Sequence, residues 1–169
     1  MSEVTEKKSF DIRDTKRILL GWPNKIAYDG NIPEVVAFYS KASGETQRRK
    51  SFFESKKLTD IFIYAMCLGK HAGIPADYVK KDGKIDRRAT IDVEYFASQP
   101  EYVWMMIATA LEDTKGNMDI FKDPAKIVEI CEKYANYGIH ELIEMENDVS
   151  GDDPYRGYDK KLSELLDEK

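Results

Sequence analysis

The sequence predicts a mostly α fold: one compact domain of about five to seven helices, with room for a small N-terminal β element. Three features carry that expectation. Apolar or small residues recur at Ile127, Ile130/Cys131, Tyr134/Ala135, Gly138/Ile139 and Leu142/Ile143, the spacing of a helix that buries one face. Two further runs, Ile61–Leu68 and the stretch EYVWMMIATALED after Pro100, are apolar around most of a helical circumference and therefore read as buried helices. Prolines and glycines punctuate all three. Pro100 and Pro124 stand where a helix tolerates proline, at its first position, and Gly73 and Gly116 stand where helices stop.

In chain order, residues 1–12 are polar and are expected to be a flexible N-terminus. The helical domain is assigned to residues 13–148, and residues 149–169 to a linker and a short C-terminal helix. Ile18-Leu19-Leu20 is a brief apolar run before the turn Gly21-Trp22-Pro23-Asn24. Ile26-Ala27-Tyr28 suits a short strand, so a small hairpin or a pair of irregular segments is expected before Pro33 opens a helix through Tyr39. Ser51 and Glu54 have capping-box spacing, and Thr59 is the expected N-cap of the helix that ends between Gly69 and Gly73. Pro75 to Thr90 reads as a polar, basic link, and Ile91 to Ala97 as a short helix broken at Gln99-Pro100. Asp123 is the expected N-cap of the long stripe. Gly138 is expected to divide that stripe into two helical halves on one core, with Glu129, Glu132, Lys133, Glu141 and Glu144 on the face turned away. Ile61–Leu68 is its natural packing partner.

With 169 residues, 42% hydrophobic and 34% charged, the chain is large enough for a real core. It has no run approaching the roughly 20 apolar residues of a membrane span, and its N-terminus lacks a secretory h-region. A cytoplasmic protein with reduced cysteines is the expectation. The net charge of −5 is unevenly spread. Residues 1–90 hold 18 Lys+Arg against 12 Asp+Glu, and the remainder holds 8 against 19. A basic half joined to an acidic half suits contact with a partner, with a second copy, or with itself.

Motifs for catalysis are absent. His140 opens H-E-L-I-E, but Glu144 stands where a zinc-protease helix needs its second histidine. His140, Glu144 and Asp148 share a face and read first as solvated surface. Cys67 and His71 lie four residues apart without two further ligands at recognisable spacing, so no metal and no cofactor is expected. The basic clusters say more. Arg48, Arg49, Lys50, Lys56, Lys57, Lys80, Lys81, Lys84, Arg87 and Arg88 all lie in connectors around the first buried helix, where together they would face phosphates.

Two stretches, FFESKKLTDIFIYAMCLGKHAG (Phe52 to Gly73) and IVEICEKYANYGIHEL (Ile127 to Leu142), resemble the DNA phosphorothioation-associated protein 4 family. These are small accessory proteins of prokaryotic DNA sulfur-modification and restriction systems. The resemblance spans roughly Lys50 to Asn147, although the first helix reads IYAMCLGK where the family is alanine-rich. It implies a non-enzymatic adaptor in a DNA-directed antiviral defence complex, working through protein–protein contacts. It carries over no catalytic residue. Tyr134, Asn136 and Gly138 are the matched positions that matter most, read as a packed tyrosine, a helix-end asparagine and a glycine at a bend. The alternative is a DNA-binding regulatory module using the basic connectors, and a metal-dependent hydrolase at His140 ranks third.

Overall fold

The elements, in chain order, are α1 (Thr15–Ile18), β1 (Lys25–Ala27), α2 (Pro33–Ser40), α3 (Leu58–Ala72), β2 (Lys80–Lys81), β3 (Lys84–Ile85), β4 (Thr90–Asp92), a 3-10 segment (Val93–Ser98), α4 (Pro100–Asp113), a second 3-10 segment (Met118–Lys122) and α5 (Pro124–Asn147). The computed structural model describes residues 14–40, 56–85, 89–147, 159, 160, 163 and 164. The fold is mostly α, as expected. Arg48, Arg49, Lys50, Arg87 and Arg88, the Ser51–Glu54 capping spacing and the leucines of the C-terminal helix lie outside the described residues.

Helix α5 is the axis of the core. Asp123 starts it by accepting the Lys126 N–H at 3.1 Å through Oδ1, and Pro124 follows at a position whose N–H needs no partner. The expected break at Gly138 does not occur, and α5 runs 24 residues without interruption. The glycine is there for proximity. A Cβ on Gly138 would lie 1.8 Å from the Ala65 carbonyl oxygen, and one on Gly69 would lie 2.0 Å from that of Tyr134. Both collisions are with backbone, which cannot rotate aside. The crossing of α3 and α5 is thus closer than any side chain at these two positions would allow. Ile61, Phe62, Ala65 and Met66 of α3 and Ile127, Cys131, Ile139 and Leu142 of α5 are buried around that crossing. Val103, Met106 and Ala110 of α4 close the other side.

The start of α3 differs from the expectation. Lys57 is its N-cap, and the Lys57 N–H donates to Asp60 Oδ2 at 2.7 Å. Thr59 is the second residue of the helix and is buried, donating its hydroxyl to Gln99 Oε1 at 2.8 Å. The helix ends at Gly73 (φ 70°), with the Ile74 N–H reaching back to the Gly69 carbonyl at 3.2 Å, a Schellman stop.

The β element is real but is no local hairpin. β1 pairs antiparallel with β4, Ile26 opposite Ile91, so the N-terminal third is stitched to the segment expected to be a helix from Ile91. Only the later part of that segment, Val93–Ser98, is helical, and it is 3-10. The Tyr28 N–H to Ala89 carbonyl and Val93 N–H to Asn24 carbonyl bonds fix the register. In that register Ala27 turns its N–H and C=O away from β4. Glu132 accepts the N–H at 2.7 Å, and the Tyr78 hydroxyl donates to the carbonyl at 2.9 Å. Glu132 therefore does not face away on the outer side of α5. It is 3% exposed, a carboxylate spent on completing a strand edge.

Candidate functional site

Of the basic residues singled out by sequence, the described ones fall into two groups. Lys56 and Lys57 are exposed ahead of α3. Lys80, Lys81 and Lys84 follow its other end, on a second two-stranded ribbon that the sequence reading missed. Its turn is Asp82-Gly83, with φ of 52° and 74°, the left-handed pair that a tight two-residue hairpin requires. The dipeptide was visible in the sequence, but the lysine-rich flanks show no apolar alternation to call strands.

The segment leading into this ribbon is held at five points. The Ala76 N–H donates to the Lys133 carbonyl at 2.9 Å, and the Ala76 carbonyl accepts from Asn136 Nδ2 at 3.4 Å. Tyr78 bonds the Ala27 carbonyl. The Val79 N–H donates to Asp29 Oδ2 at 2.6 Å, and the Val79 carbonyl accepts from Asn31 Nδ2 at 2.6 Å. Asp29 is 3% exposed, and its other oxygen accepts the Asn31 N–H at 2.9 Å. Outside these bonds, Lys133 pairs with Asp77 at 3.2 Å and with Glu129 at 3.4 Å. The bonds to Asp77 and then Glu129 hold the Lys133 ammonium above its ordinary pKa, and Lys126 first, then Lys133, holds Glu129 below its own.

Tyr134, Asn136 and Gly138, on which the expected resemblance rests, have structural duties. Tyr134 is buried, donates its hydroxyl to Asp113 Oδ1 and lies under Lys70, whose Nζ is 5.1 Å from the ring centroid. The hydrogen bond to Asp113, with burial second, pushes the phenol up to about 12. Asn136 is no helix end: it sits inside α5, buried, and steadies the Ala76 turn. Gly138 makes room for α3.

The other candidates stay apart. His71 and His140 are exposed, and Asp148 lies outside the described residues. Among the described residues no group of three or more His, Cys, Asp or Glu is placed to hold a metal ion. Burial raises the pKa of both Cys67 and Cys131, which disfavours the thiolate and hence nucleophilic reactivity.

A concave surface lies elsewhere. An open groove of about 730 Å³ runs between α1 and the Val93–Ser98 segment, with Leu19, Trp22, Pro23 and Val93 along it and Tyr95 at its side. Lys16 supplies positive charge to its lining, and Asp92 and Glu94 negative. The Thr15 hydroxyl bonds the Ala97 carbonyl and so ties the two walls together. Leu20 and Tyr95 expose 74% and 53% of their surface nearby, an apolar share that solvent does not reward. Sequence could not have found this groove, because its walls are some 75 residues apart and meet only in the fold.

Comparison with protein-family models, curated proteins and solved structures returns no match. No helix among the described residues is long and apolar enough to cross a membrane.

Proposed function

We propose that this chain works by contact, as a non-enzymatic accessory protein of a prokaryotic DNA modification and restriction complex. The observation that carries the contact reading is the Trp22 groove, an apolar-lined concavity with charged residues of both signs and exposed Leu20 and Tyr95 beside it. Those are the ingredients of a protein–protein interface, apolar at its centre and polar at its rim. The DNA-directed setting comes from the resemblance of Phe52–Gly73 and Ile127–Leu142 to the phosphorothioation-associated family. The test is affinity purification of the native protein, in parallel with Tyr95→Glu. The expected result is a co-purifying component of a DNA-modification system that Tyr95→Glu releases without unfolding the chain. A partner retained equally by both proteins would remove the groove from the account.

A second reading, direct DNA contact, is favoured by one observation. Lys80, Lys81 and Lys84 are exposed, and among the described residues no carboxylate lies within ion-pair distance of them.

A further inference from the structure

We infer that the β2–β3 ribbon is a mounted phosphate grip, through which the protein holds the backbone of double-stranded DNA without reading its sequence. This deepens the second reading above and rests on it.

The register places Lys81 directly opposite Lys84, and Lys80 opposite Ile85. Directly opposed residues share a face of the ribbon with their Cβ atoms close together, so two lysine side chains leave the ribbon from neighbouring points. Like charges so opposed weaken a strand pair, and among the described residues no carboxylate relieves them. An anion between the two would relieve them.

The turn itself carries one exposed carboxylate, Asp82, against three lysines, and the acids beside the mount are engaged. Asp77 pairs with Lys133, and buried Asp29 accepts the Asn31 and Val79 N–H groups.

The mount is the second observation. Two-residue strands cannot hold a ribbon by themselves. Here the chain just before Lys80 is fixed by hydrogen bonds at Ala76, Tyr78 and Val79, to α5, β1 and the Asp29–Asn31 turn. Every residue from Lys80 to Ile85 is exposed beyond that anchorage. A fixed base carrying an exposed tip, where three described lysines outnumber the single described carboxylate Asp82, is arranged for a fixed line of negative charge. Duplex DNA supplies one, and its major groove, about 12 Å wide, admits a two-stranded ribbon. Lysines act as point charges, which suits phosphate oxygens, and no arginine stands among the described ribbon residues to fork onto a base. Asn136 enters as a positioning residue, acting through the Ala76 carbonyl.

The test is fluorescence anisotropy of a labelled two-turn duplex titrated with the full-length protein and with K80Q/K81Q/K84Q, at about 50 and 200 mM salt. The wild type is expected to bind and to weaken steeply with salt. The triple variant, with unchanged circular dichroism and melting temperature, is expected to bind at least about tenfold more weakly, its log–log salt slope smaller by about 2.7. Wild-type binding that the triple variant leaves unchanged would overturn the grip while leaving DNA contact through other residues standing. Absence of wild-type binding would overturn both. Polyglutamate competing as effectively as DNA at equal charge would overturn the assignment in favour of an acidic protein.

Discussion

The α3–α5 crossing and the β2–β3 ribbon are opposite solutions to the presentation of a short stretch of chain. At the crossing, side chains are removed so that backbones can touch, and Gly69 and Gly138 each face a carbonyl at a distance no Cβ could tolerate. At the ribbon, backbone groups are tied down so that side chains can stand in solvent. The first arrangement maximises burial and leaves nothing for a partner. The second buries little and leaves three lysines for one. The residues read as carrying the resemblance, Tyr134, Asn136 and Gly138, belong to the first: the sequence already reads them as structural, and the structure uses them as scaffold. Asn136 links the two by holding the turn that leads to the ribbon.

Substitutions should separate these regions. Gly138→Ala should have the largest effect, because the added carbon meets the Ala65 carbonyl and α3 must move. A loss of about 3 kcal/mol or more is expected in a denaturant titration, at the upper end for overpacking. A loss below about 1 kcal/mol would show that the crossing relaxes more easily than its geometry implies. Glu132→Ala comes next. It strands the buried Ala27 N–H at a cost of about 1–3 kcal/mol, and Glu132→Gln, which keeps an acceptor, should recover part of that.

Tyr134→Phe should cost about 1 kcal/mol near neutral pH by removing the bond to Asp113. It also has a pH signature. The folded phenol titrates at about 12 against an ordinary 10, so its contribution is fully present below pH 10 and is lost as pH rises towards 12. Stability measured across that window should fall more steeply in the wild type than in Tyr134→Phe. Smallest of all, Lys81→Glu should change stability by no more than about 0.5 kcal/mol, since an exposed tip residue supports nothing beneath it.

Much of the scaffold was legible in the sequence because its signals are local. Helical periodicity, Pro100, Pro124, Asp123 and Gly73 place α3, α4 and α5 within a residue or two of their observed limits. What escaped depends on distant partners. Ile26 finds Ile91 across 65 residues, and three-residue strands carry too little pattern to announce that pairing. Glu132 reads as surface because it is charged, and its burial follows only once the outward N–H of Ala27 is known. Gly138 was noticed for the right reason, the lack of a side chain, but a bend and a close approach leave the same mark in sequence. For the candidate site, lysine content was visible, whereas the opposed register of Lys81 and Lys84 and the mount behind them are properties of the fold.

Amide hydrogen exchange of the full-length protein, with and without a saturating two-turn DNA duplex, addresses the division between scaffold and contact most directly. The account predicts slow exchange along the α3–α5 crossing in both states, with new protection on adding DNA confined to the ribbon and the Ala76–Val79 segment that mounts it. New protection centred on Tyr134–Leu142, with the ribbon unchanged, would contradict it.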